Sequence, residues 1–379
     1  MERNTEYKEL RKILLKHIEN FNKHDTSATK RDEAKKYRGE CIRLALQRKP
    51  YLKENEKQYL SRVLKGEDLS PLKIEPVLQF CHSKEDFDFF DFFRLWSSFP
   101  TRDRPGRRFK FLLYDEGHSL KPLMALGCLG SSIRQLSVRD EWIGWNDRRF
   151  KKIRAKKLAY IMDLNTCIGI PPYSFLTSGK LLCYIILSNE FREMYFERYR
   201  NQLTRNLKRI VTDIALVVTC GAYSSNTPQY KGISFHGNNK FKYIGYTKGY
   251  STFHIPQSLY NKLISVFDGP ELRFSRYGER GSMAKFQVLR DIARKLNIDE
   301  EELLYSGHKR SVFVAPLAQN FREFLLDENK ELIYYNVKYD DLVKTWRRQW
   351  LLKRWKSSQV RKKVQNFKPE DIGLFSRVK

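Results

Sequence analysis

Near the start of the chain apolar residues recur at three- and four-residue intervals, with Leu10, Ile13, Leu14, Ile18 and Phe21 on one stripe and charge on the other faces. That spacing marks an amphipathic helix. A second helix is expected over residues 27–48, halted near Pro50, and a third over residues 54–65, halted at Gly66. Residues 83–100 then interleave Asp86, Asp88 and Asp91 with Phe87, Phe89, Phe90, Phe92 and Phe93, ending at Pro100. So many rings on one short segment predict a helix pressed against other apolar surface. The proline- and arginine-rich residues 101–108 read as a linker.

From Phe109 the period shortens. FKFLLYD, a turn at Gly117 and LMALGCLGS predict a β-hairpin, and residues 158–164 and 213–220 are further apolar runs of strand length. Between these runs, residues 179–199 predict one helix with Leu181, Leu182, Ile185, Ile186 and Phe196 on its inner face. Helical spacing returns over residues 282–296, 298–304 and 339–365, and no internal repeat is visible. The expected fold class is α/β (α+β). A mixed sheet core over residues 101–267 is flanked by a helical N-terminal region, 1–100, and a basic helical C-terminal region, 268–379.

At 41% hydrophobic residues the chain can bury a sizeable core. Charge is more informative. Lys and Arg number 72 against 44 Asp and Glu, a net charge of +28, which implies a polyanionic partner, with nucleic acid first. A membrane surface is not expected as the partner, because residues 1–9 offer neither an amphipathic terminal helix nor a lipidation signal and no apolar run reaches spanning length. A soluble cytoplasmic protein is the expectation. The six cysteines contain no Cys-x-x-Cys pair, and the seven histidines form no His-x-x-x-His pair, so no zinc site is expected. The Gly179-Lys180 step lacks P-loop spacing, since Gly169 stands too far upstream and Leu181 follows the lysine. Neither a metal nor a cofactor is predicted, and any energy from ATP must come from a partner.

The charge is concentrated in two segments. Seven of the ten residues from Arg148 to Lys157 are basic, namely Arg148, Arg149, Lys151, Lys152, Arg154, Lys156 and Lys157, with no acid among them. Residues 344–363 hold nine more Lys and Arg, again without an acid, and interleave Trp346, Trp350 and Trp355. Helical spacing places Val343, Trp346 and Trp350 on one face, which reads as core, leaving Arg348, Lys353, Arg354, Lys356, Arg361, Lys362 and Lys363 to meet phosphate.

Candidate chemistry is sparser. Ser224, Ser225 and Asn226 follow a predicted strand and can bond phosphate or sugar, while Lys248 sits between Gly245 and Gly249, where backbone can approach a ligand. Tyr246, Tyr250 and His254 offer stacking surface. Trp142, Trp145, Tyr173, Lys180, Lys248 and Tyr250 are expected to line a cleft for a strand end or an unpaired base. Glu-x-Lys triplets at Glu6 and Glu328, and the acids Asp163, Asp86, Asp88 and Asp91, are the available nuclease candidates. In so charged a sequence they read as solvated faces or satisfied acids. Residues 286–304 suggest a helix-turn-helix half, but Asp299, Glu300, Glu301 and Glu302 open its second helix and would repel phosphate.

Two resemblances add to this. The order hairpin, strand, Pro/Gly loop, helix, strand is similar to the core of GNAT-type acyltransferases, whose loop amides hold a cofactor pyrophosphate at a helix N-terminus. The equivalent loop, residues 171–180, has one glycine where two or three are usual. The likeness therefore implies a GNAT-like scaffold reused for another task. The motifs DEWIGW, IPPYS ahead of GK, YIGYTKGY, SGHKRSVFVAPLAQNF and WRRQWLLKRW, in this order, resemble the DruA proteins of the Druantia anti-phage defence systems over most of residues 109–356. That resemblance implies a DNA-binding component acting with other Druantia proteins, including a helicase. An enzyme that modifies or cuts DNA on the degenerate scaffold is the alternative, and a scaffold for an acidic partner protein is a third.

Overall fold

The computed structural model describes residues 2–23, 27–97, 106–204, 207–222, 227–267, 282–327 and 329–375. The chain opens with helices α1 (Glu2–Lys23) and α2 (Ser27–Arg48). The single helix expected over 54–65 is instead two short ones, α3 (Tyr51–Glu54) and α4 (Glu56–Leu60), split at Asn55. Strand β1 (Pro76–Phe80) follows and was not legible in the sequence, since five residues led by proline carry little periodic signal. The phenylalanine-rich segment is helix α5 (Lys84–Arg94), started by a capping box in which Ser83 and Asp86 satisfy each other's backbone N–H groups.

The predicted hairpin is β2 (Arg108–Asp115) and β3 (Leu123–Ser131). Both strands are almost wholly buried because helices cover both faces, and alternation sorts their side chains. Phe109, Phe111, Leu113, Ala125 and Leu129 join one core cluster. Leu112, Leu123, Leu126 and Cys128 join the cluster that holds Phe90, Phe92 and Phe93 of α5. Gly127 stands opposite Phe111, and a Cβ there would lie 2.3 Å from the ring, so glycine is required by the close approach.

Beyond β3 come α6 (Ser137–Ile143), α7 (Lys151–Lys157) and β4 (Ile161–Gly169). The helix expected over 179–199 is broken into α8 (Ser178–Ile185) and α9 (Asn189–Tyr199). The break is at Ser188, fully buried, whose Oγ accepts a hydrogen bond from the Phe191 N–H and starts a new helix. Then follow β5 (Leu216–Cys220), the small ribbon β6 (Ser234–Phe235) and β7 (Asn238–Asn239), β8 (Lys242–Tyr246), α10 (Gln257–Val266) and β9 (Ser311–Pro316).

The main sheet runs β1-β2-β3-β4-β5-β9-β8. All neighbours are antiparallel except β4 and β5. This is the mixed α/β (α+β) class expected, and the sheet takes β1 and β9 from outside residues 101–267. Residues of α1, including Leu10, Leu14 and Ile18, pack with α10 and the helix Ser282–Lys295 in a satellite core. The long C-terminal helix is segmented into Tyr339–Trp346, a wide turn Arg347–Leu351, Leu352–Trp355 and Ser358–Gln365.

Candidate nucleic-acid interface

The site is made by two strands that part. Parallel β4 and β5 pair at only three positions, ending with Asp163 against Val218. On its other side β4 pairs Leu164 with Leu129 and Thr166 with Cys128, so Asn165 is an extra, bulged residue that bends the strand away. One link crosses the opening, from Thr219 Oγ1 to the Leu164 carbonyl at 3.0 Å. The resulting cleft has a volume of about 2320 Å³.

Its inner wall is held by the chain itself. Gln229 Nε2 donates to the Cys167 carbonyl at 2.7 Å, tying residues 227–231 to β4. Lys180, in the first turn of α8, is buried, with its ammonium donating to the carbonyls of Pro228, Gln229 and Lys231 and lying 3.9 Å from the centre of the Trp350 ring. Burial pulls its pKa down to about 8.

One rim comes from the first basic segment. A short turn, Arg148–Phe150, is capped by Asp147, whose carboxylate accepts from the Arg149 N–H and also pairs with the Arg149 side chain. Helix α7 follows, anchored inward by Lys157, whose ammonium is buried 3.5 Å from the centre of the Phe324 ring. Arg148, Lys151, Lys152 and Arg154 line the cleft, joined by Arg134, whose carbonyl accepts from Arg154 at 2.7 Å. Arg154 also reaches Asp140 at 3.5 Å. Arg149 and Lys156 are exposed but do not line the cleft.

Across the cleft stand Tyr246, Lys248 and Tyr250, on a turn that needs positive φ at Gly245 and Gly249. His308 and Arg310 support this side. His308 Nε2 bonds the Ala222 carbonyl at 2.8 Å, and Arg310 donates to the carbonyls of Gly221 and Cys220 at 2.6 and 3.1 Å.

Other predicted site residues are engaged by their own neighbours or lie away from the cleft. The Trp142 ring stacks on Phe321 at 5.2 Å with Arg322 over it, so it offers no free platform. Trp145 reaches the cleft wall but is 2% exposed and donates to the Leu325 carbonyl. Tyr173 is core, its hydroxyl donating to Asp115 at 2.7 Å, and burial pushes its pKa up. His254 is buried beside Leu303, whose carbonyl meets Nε2 at 2.9 Å, and burial lowers its pKa to about 4. Ser224, Ser225 and Asn226 lie outside the described residues.

In the second basic segment Trp346 is fully buried and donates to Thr177, and Trp350 faces the cleft floor. Arg354 lines the cleft. Arg348, Lys353, Lys356, Arg361, Lys362 and Lys363 do not, and Lys363 lies over Phe175 at 4.4 Å. Thr166, Thr219, Gln229, Arg134 and Arg290 also line the cleft and carried no signal in the sequence, because they lie on elements far apart along the chain.

Asp86, Asp88, Asp91 and Asp163 are engaged, and Glu328 lies outside the described residues. Asp163 accepts from Ser132 Oγ and the Ile133 N–H. Asp91 is buried in contact with Lys49, Lys110 and Arg94, and despite the opposing effect of burial those cations hold its carboxyl below the usual range. Among the described residues no three His, Cys, Asp or Glu side chains come together as a metal-binding group. No helix there is long and apolar enough to cross a membrane.

The family described as Druantia protein DruA matches residues 28–327, a span holding the whole sheet, both rims of the cleft and Lys180. The Druantia protein DruA of Escherichia coli (strain UMEA 4076-1) is 28% identical over 263 residues, covering 69% of this chain and 63% of the relative. The chain thus spans less than two thirds of that relative's length. No solved structure matches. With the matched span running from α2 to just past β9, this chain belongs to the Druantia protein DruA family.

Proposed function

We propose that this chain acts in anti-phage defence as a nucleic-acid-binding component of a Druantia system, with the cleft between β4 and β5 receiving the strand. The observation that carries the reading is the rim. Arg148, Lys151, Lys152 and Arg154 line the same opening as Lys248, where Asp147, Asp163 and Glu300 are engaged by neighbouring groups. Such a rim attracts phosphate without reading sequence, and the excess of +28 adds long-range steering. Strand separation and energy would come from partner proteins of the same system, a helicase among them, in the cytoplasm where phage DNA is exposed.

A second reading, an enzyme acting on DNA, is favoured by one observation. The sheet order, with one parallel pair at β4 and β5, resembles that of GNAT-type acyltransferases. In that fold the loop before α8 would take a cofactor pyrophosphate. Here Gln229 and the Lys180 ammonium occupy the ground beside that loop, which favours binding over transfer. The test is a salt series with purified protein and labelled single-stranded DNA, duplex DNA and RNA, with Mg²⁺ and, separately, acetyl-CoA present, followed by a product gel. Intact nucleic acid bound with a steep inverse salt dependence supports the first reading. A cleaved or mass-shifted product supports the second, and absence of binding contradicts the first.

A further inference from the structure

We infer that β8 and the turn after it form a stacking platform for single-stranded nucleic acid, built from Tyr243, Tyr246, Tyr250 and Tyr305. This rests on the nucleic-acid reading and narrows it to unpaired strand. Their exposures are 48%, 48%, 40% and 41%. Among the described residues these four are the exposed tyrosines, the others there being buried or half-buried. Aromatic rings are costly to leave in water, so their concentration on one rim points to a ligand that covers them.

The backbone arranges them. β8 lies at the free end of the main sheet, and its pairing with β9 passes from Tyr243 opposite Phe313 to Gly245 opposite Val312, leaving Ile244 as a bulge. In a regular strand residues three apart point to opposite faces. The bulge resets that phase, so the Tyr243 and Tyr246 rings meet with centroids 5.5 Å apart at 70°. Gly249, at φ +88°, turns the chain so that Tyr250 bridges to Tyr305, with ring centroids 5.7 Å apart at 71°. Tyr246 and Tyr250 line the cleft, so the platform continues the rim that carries Lys248.

Charge selects the ligand. Lys242, Lys248 and Lys309 are exposed beside the rings, the chemistry of a polyanion whose bases can stack. Of the acids here, Glu300 pairs with Arg290 and Arg294. In duplex the base faces are covered by their neighbours, so stacking rewards only unpaired strand.

The test compares oligo(dT), oligo(rU) and a duplex of equal length on the full chain, the pair of variants Tyr243→Leu/Tyr246→Leu and Tyr250→Leu/Tyr305→Leu, and the matching Phe variants. Leucine keeps bulk at exposed positions, and circular dichroism checks the fold. The expected result is loss of single-strand affinity by about tenfold or more in each Leu pair, retention in the Phe pairs, an unchanged salt slope and unchanged duplex affinity. Leu variants that bind single strands like the parent, while the parent binds nucleic acid, overturn the platform and leave the broader reading standing. A parent that binds no nucleic acid at all defeats both.

Discussion

Replacing Lys151 and Lys152 together by alanine isolates the contribution of the α7 rim. Both side chains are exposed and line the cleft, and the inward anchor of α7, Lys157 over Phe324, is untouched. Each phosphate contact on single-stranded DNA contributes about −0.7 to the slope of log affinity against log salt, so two lost contacts flatten the slope by about 1.4. At about 0.1 M salt each contact is worth about fivefold, giving about 25-fold weaker binding for the double variant. Fluorescence anisotropy with a labelled oligonucleotide, from about 50 to about 200 mM salt, measures both quantities. The control is Lys353→Ala/Lys356→Ala, which removes the same charge from exposed positions that do not line the cleft. Equal losses from the two pairs would mean that a diffuse field, not the rim, binds the strand.

His254 makes stability fall in acid. Its folded pKa of about 4 lies below the ordinary 6.5, so between those values the unfolded chain binds the proton that the folded chain excludes. The full stability is present above pH 6.5 and is lost as pH falls toward 4, by about 3 kcal/mol, and His254→Gln should lack this part of the slope in denaturant melts. Lys180→Met leaves carbonyls at Pro228 and Lys231 without their donor and should cost about 1–3 kcal/mol by urea unfolding. Trp346→Ala empties a fully buried site and should cost about 3–5 kcal/mol in the same assay.

Elements with a strong period were legible in the sequence, and those set by long-range pairing were not. Phe109, Phe111, Leu112 and Leu113 announced a central strand, and the phenylalanines of α5 announced a packed helix, because each carries its own apolar signal. β1, β8 and β9 are short, and their partners lie far along the chain, so local residues do not declare them. The break at Ser188 was hidden because apolar residues continue on both sides of a serine whose capping role only the fold reveals. In the candidate site, charge density marked α7 and glycine spacing marked the Lys248 turn, and both line the cleft. Charge alone could not separate Lys157, which is buried against an aromatic ring, from Lys152, which is not. Trp142, Trp145 and Tyr173 have the composition of stacking residues, yet Phe321, the Leu325 carbonyl and Asp115 already occupy them.

Crosslinking the full chain to a photoreactive single-stranded oligonucleotide, with adducts mapped by peptide mass, would show where the strand lies. Adducts are expected on the two cleft rims, within residues 134–154 and 242–250. Adducts confined to residues 356–363, or none under conditions where a known single-strand-binding protein crosslinks, would contradict binding in the cleft.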